Sequence, residues 1–283
     1  MYMQMRRYLY IPLILILFLA GCMEHIDLPP TIITPTPLSE EYIYGTEEKV
    51  SYALLWDTVK DGVEVFGSPY LYRDVVGECL FKDEGAQGLS KKLSRVDGPF
   101  SFVIEGEHTE REREVVEKII RDVLPKGYGT PFTPSLKRED STLFTISFVS
   151  PYDQMADILS AYNIYGLYIT GREEKNIIKS GAIFVRDLEF LRSTHPDMGE
   201  DKILTIMEAI LCEEMAQAPI EGQDNTIDED MRFYENPKIE DYLEKPDLTE
   251  KDFAILKIAL LLPPGTDNKQ WRRFMNKYIE ERR

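Results

Sequence analysis

Histidine and cysteine are scarce in this chain of 283 residues, with three of each. His25, His108 and His195 stand far apart, and none has a partner at ligand spacing, so the sequence offers no set of imidazoles for zinc. Cys22, Cys79 and Cys212 are too few for a disulfide framework and match no zinc motif; only Cys79 and Cys212 could pair. Basic residues form no long run before the C-terminal tail, and the formal charge is -17. Nothing neutralises phosphates in bulk, which argues against nucleic acid as a partner, and the acidity reads as solubility. No apolar run reaches the roughly 20 residues that span a bilayer. The length leaves room for one large domain or two small ones with a packed core.

The N-terminus points to export. Arg6 and Arg7 precede an almost wholly apolar run from Tyr8 to Ala20, which ends in Leu19-Ala20-Gly21-Cys22. A charged start, a short apolar stretch and small residues before a cysteine resemble a lipoprotein signal. Residues 1–21 then form a signal peptide, and cleavage before Cys22 leaves an acyl lipid such as palmitate on its thiol. An uncleaved anchor is the alternative, and it also places the remaining chain outside the cytoplasm. Residues 22–40 hold the lipidated cysteine and a Pro/Thr-rich tether, Asp27 to Leu38, whose prolines keep it extended. The expected location is the cell membrane or envelope, with the membrane as partner through Cys22. A disulfide is allowed there, though not implied.

Residues 41–95 read as an irregular part that packs on the main domain, with aromatic clusters at Tyr42, Tyr44, Tyr52 and Trp56 and at Phe66, Tyr70 and Tyr72. Ser90 to Arg95 reads as a solvated connector. Over residues 96–283 the pattern sharpens. Phe100–Gly106 has strand composition, and Thr109 precedes a helix over Glu110–Leu124 whose Val115, Val116, Ile119, Ile120 and Val123 recur at helical spacing beside a solvated charged face. Leu143–Val149, Gly166–Thr170 and Ser180–Arg186 read as strands, and Tyr152–Leu159 as a short helix. This order predicts an α+β domain: a mixed sheet packed with helices and a helical C-terminal part. Glu221–Asp247 is acidic, lacks the EF-hand glycine spacing and reads as a solvated loop. Thr249 caps a helix through Leu261 that Pro263-Pro264-Gly265 stops. Asp267 opens a last helix with Trp271, Phe274, Met275, Tyr278 and Ile279 inward.

Just before the acidic stretch lies the one place where charge enters an apolar helix face. Advancing ~100° per residue from Ile203, Ile206, Met207, Ile210, Leu211 and Met215 share a broad apolar arc. Glu213, Glu214 and Gln217 fall within it, and Asp201, Lys202, Thr205, Glu208 and Cys212 point the other way. Carboxylates on such a face lose water, which raises their pKa unless they are paired, hydrogen-bonded or metal-bound. The plain alternative is a helix whose last turn emerges into solvent.

Over about residues 96–280 the chain resembles an exported domain-of-unknown-function family, number 2927, associated with the zincin-like metallopeptidases. The resemblance is carried by Glu213-Glu214-Met215-Ala216-Gln217, by Asp224-Asn225, by the Phe233 to Asn236 turn, by Leu248-Thr249-Glu250-Lys251-Asp252 and by Pro264-Gly265. Ala218-Pro219-Ile220 stands where the family has Gly-Leu. The resemblance implies a zincin-like layered domain. It also sets Glu213 and Gln217 at the imidazole positions of a His-Glu-x-x-His helix and Glu214 at the position of the general base. A carboxylate and an amide do not replace two neutral imidazoles, so no metal and no cofactor are expected. The first expectation is therefore a membrane-anchored extracytoplasmic lipoprotein of non-catalytic role, whose degenerate site binds a protein or peptide or supports the envelope. The alternative is a hydrolase of peptide or glycan with Glu214, and Glu213 beside it, in acid/base roles.

Overall fold

A computed structural model describes residues 41–44, 48–81, 92–129, 132–136, 142–173, 176–234 and 238–282. All of them fall in one compact unit, Pro35–Arg283. The signal, Cys22 and the tether lie outside the described residues, as do Ser90 and Lys91.

The domain is α+β, with a five-stranded mixed sheet. Glu41–Tyr44 (β1) and Glu48–Ser51 (β2) form a hairpin, followed by helices Tyr52–Phe66 (α1) and Pro69–Phe81 (α2). The main sheet contains Phe100–Glu105 (β3), Pro134–Ser135 (β4), Thr142–Val149 (β5), Gly166–Glu173 (β6) and Ile177–Arg186 (β7) in the order β4-β3-β5-β7-β6. Pairing is parallel except between β6 and β7. The helices are Glu110–Lys118 (α3), Gln154–Ala161 (α4), Leu188–Thr194 (α5), Glu200–Gln217 (α6), Ile239–Glu244 (α7), Glu250–Leu261 (α8) and Asn268–Glu280 (α9).

Strand alternation assigns the two faces of the sheet. Phe100, Phe102, Phe144, Ile146, Ile183 and Val185 are buried in the main core with α6. Phe184 and Leu167, of opposite pleat, cover a smaller cluster made by Val149, Ala156, Leu159 and Phe190 from β5, α4 and α5. Helices on both faces explain why the strands are rich in apolar side chains. At the other end of the core, α1 packs on α8 and α2 on α9. Trp271, fully buried, donates its Nε1–H to the carbonyl of Arg73 at 2.9 Å.

Several expectations hold. Thr109 caps α3 in a box with Glu112, Thr249 does so for α8 with Asp252, and Asp267 does so for α9 with Gln270. All five inward residues expected of α9 are buried.

Others need correction. The stretch expected to be irregular is two helices after a hairpin. In α2 the buried Tyr72, Val75, Val76, Cys79, Leu80 and Phe81 leave no clear polar face to read. Leu93, Ser94 and Arg95 are buried rather than a solvated connector, and Arg95 donates to the carbonyls of Leu262 and Val96. The helix of residues 110–124 turns π-helical over Ile119–Val123. Its Glu112 is buried: one oxygen serves the Thr109 cap, and the other accepts from the amide of Leu188 at 3.1 Å, so one carboxylate serves the starts of α3 and α5. Cys212 does not face solvent. Helix α3 covers that side of α6, where Lys118 pairs with Glu208, and burial pushes the Cys212 thiol well up. Cys79 and Cys212 are both buried, and no disulfide joins them.

The acidic stretch is packed, not a solvated loop. Asn225, Asp228, Met231, Arg232 and Phe233 are all buried. The Asn225 side chain accepts from the amides of Ile227 and Asp228 and donates to the Phe233 carbonyl, which closes a tight turn. Asp228 pairs with Lys251 of α8 at 2.7 Å.

Candidate functional site

The last turn of α6 runs into the body of the protein. Tyr128 donates its hydroxyl to the carbonyl of Ala216, and a 3-10 turn over Ala218–Ile220 continues directly from the helix. Glu221 then takes a left-handed backbone conformation, φ +47°, and the chain passes beside β6. There Tyr168 donates to the Gly222 carbonyl, and Thr170 donates to the Glu221 carboxylate at 3.2 Å.

The three residues singled out in the sequence, Glu213, Glu214 and Gln217, occupy three different environments. Glu213 is buried, and its Oε2 accepts from Nε of Arg232 at 3.1 Å. Burial pushes its carboxyl well above the usual carboxylate range, while Arg232 pulls the other way. Gln217, also buried, donates its Nε2–H to Asp224 at 2.8 Å. Glu214 is partly exposed, and among the described residues its carboxyl makes no hydrogen bond or ion pair. Loss of water around its carboxyl first, and the charge of Asp224 second, push it up to about 8. It lies on Gly166 at the start of β6: a Cβ there would sit 2.6 Å from Oε1 and 2.8 Å from Cγ of Glu214. Only glycine leaves room for that approach.

Arg232 organises the site and carried no signal in the sequence. Its guanidinium lies 3.9 Å over the ring of Tyr242, and Nη1 reaches the carbonyls of Asp241 and Lys245 at the end of α7. Its backbone amide and that of Phe233 donate to Asp252 in the first turn of α8. One residue thus ties the ends of α6 and α7 to the start of α8. A lone arginine in an acidic stretch resembles any surface cation.

Tyr242 extends the site. Its ring meets Tyr165 edge-on at 5.8 Å, and Tyr165, next to Gly166, lies within 3.3 Å of Nε2 of His195 through its hydroxyl.

The donor set does not fit zinc. The carboxylate of Glu213 faces a guanidinium, the amide of Gln217 is spent on Asp224, and neither carries the nitrogen pair that zinc sites use. Among the described residues no group of three or more His, Cys, Asp or Glu converges as a metal site. Compared with known proteins, the chain matches no family model, no curated protein and no solved structure.

Proposed function

We propose that this chain is a membrane-anchored extracytoplasmic lipoprotein whose zincin-like domain binds a protein or peptide through the surface around Glu214. One observation carries the binding reading: Glu213 and Gln217, at the positions a zincin gives to metal ligands, are engaged by Arg232 and Asp224 in a network made wholly of protein. A buried network of this kind fixes the ends of three helices and leaves Glu214 as the one polar group of the motif that is partly exposed and makes no hydrogen bond or ion pair among the described residues. The Arg6-Arg7 start, the apolar run and Leu19-Ala20-Gly21-Cys22 support the lipid anchor. Among the described residues no helix is long and apolar enough to cross a membrane.

A second reading makes the protein a hydrolase of peptide or glycan. It is favoured by the Glu214 carboxyl, which is unpartnered and pushed up to about 8, within the range where a group both gives and takes a proton near neutral pH. Glu213 cannot share that role, because Arg232 holds it and adjacent helix residues diverge by ~100°.

Labelling cells with radioactive palmitate tests the anchor: the unaltered chain is expected to carry label and Cys22→Ser to carry none. Elemental analysis of protein purified without chelator is expected to find no stoichiometric metal, and one zinc per chain would overturn the network reading. A panel of peptide and glycan substrates decides between binding and hydrolysis. Turnover that is lost in Glu214→Gln replaces the first reading with the second.

A further inference from the structure

We infer that Tyr165, Arg186 and His195 form a subsite for a carboxylate group, built into the fold beside Glu214. The inference rests on the binding reading above and names the chemistry of the ligand. Arg186 closes β7 and is only 5% exposed. A guanidinium so far from water ordinarily has a carboxylate against it, since an unpaired buried charge is strongly unfavourable. Among the described residues Arg186 has none. Its guanidinium carbon lies 4.8 Å from the ring centre of Tyr165 and 4.5 Å from that of Phe190. Its Nη2 donates to the carbonyl of Leu159, in the last turn of α4, at 3.2 Å, and its Nε is buried without a hydrogen-bond partner. Two aromatic faces and a helix end therefore fix the plane of the cation and offset part of its charge, with no carboxylate against it among the described residues.

The neighbouring groups are donors as well. The Tyr165 hydroxyl and Nε2 of His195 stand 3.3 Å apart, both residues half-buried. When His195 donates to the tyrosine oxygen, the tyrosine proton is free for a ligand. Burial, and then the charge of Arg186, make His195 harder to protonate. Glu240 on α7 is the acid that acts on both Tyr165 and His195, and it forms no ion pair with Arg186. A guanidinium and a phenol that must both donate call for an acceptor-only group of compact size, which a carboxylate is. Tyr165 joins this subsite to the motif, through its ring contact with Tyr242 and through Gly166, on which Glu214 rests.

The test uses the whole mature chain and proton NMR of its few histidines, with acetate, inorganic phosphate, N-acetyl-alanyl-alanine and the C-terminal amide of that dipeptide as probes. Acetate is expected to raise the titration midpoint of His195. The dipeptide acid is expected to bind at least about tenfold tighter than its amide. Arg186→Gln is expected to erase that preference; because Arg186 also holds the end of α4, Tyr165→Phe is the milder variant and is expected to reduce it severalfold with the fold intact. Equal binding of acid and amide, a His195 midpoint that acetate does not move, or an unchanged preference in Tyr165→Phe would each overturn the subsite. A larger response to phosphate than to acetate at equal concentration would overturn the assignment to a carboxylate. Turnover of a peptide or glycan that is lost in Glu214→Gln would refute the binding reading, whereas the acid-over-amide comparison in the unaltered chain tests the subsite by itself.

Discussion

Arg232 and Glu213 are each secure only because the other is present. Removing the cation leaves a buried carboxylate without compensation, and breaking such a pair from one side typically costs about 3–5 kcal/mol. Arg232→Met is therefore expected to lower stability by about that much in urea unfolding, and adding Glu213→Gln is expected to restore a substantial part. Glu214 behaves differently because, among the described residues, nothing pairs with it. Its carboxyl holds a proton in the folded protein up to about pH 8, whereas an unfolded chain releases it near 4.5. Between those values the folded state binds more protons, so stability falls as pH rises through that window. Urea midpoints measured at pH 5, 7 and 9 are expected to decline, and Glu214→Gln is expected to flatten the decline. From the sequence, the unusual burial of Glu213 and Gln217 was legible in the helical phase of their neighbours. The partners were not, since Arg232, Asp224 and Tyr242 come from segments whose approach depends on the path after Glu221.

At the scale of elements, two buried acids each start more than one piece of structure. Asp252 accepts from Thr249 within the α8 cap and also from the amides of Arg232 and Phe233; burial pushes its carboxyl up, and these donors pull the other way without cancelling it. Thr249→Ala removes only the cap and is expected to cost about 1 kcal/mol. Asp252→Ala orphans several amides at once and is expected to cost clearly more, with thermal melts of the two variants giving the order. Capping residues beside apolar periods made α3, α8 and α9 readable in advance. The strands β5, β6 and β7 were readable from their β-branched and aromatic runs. Helices α1 and α2 were not; in α2 the buried side chains leave no clear polar face. Nor was the packing of the acidic stretch, since its acids are neutralised by Lys251 and by backbone amides that composition does not reveal.

Across the whole molecule, the two ends of the described chain share one core. Trp56 on α1 packs against Phe274 and Tyr278 of α9, and Arg272 of α9 pairs with Asp74 of α2 at 3.1 Å. A single cooperative transition is expected, with tryptophan fluorescence and far-ultraviolet circular dichroism giving the same urea midpoint. Deleting α9 is expected to expose the Trp56 surface and abolish that transition rather than leave a smaller folded domain. The mixed sheet and its helical flank were legible as a class. The closure of the chain was not, because no local pattern records which helix covers which.

The buried ring of Trp271 also sets a timetable. Helices α1 and α2 emerge early from the ribosome, yet the indole that fills the space beside Tyr72 and bonds the Arg73 carbonyl belongs to the final helix. The earliest part of the domain cannot complete its packing until the latest part has been made, so the chain stays open to handling by other factors throughout its synthesis.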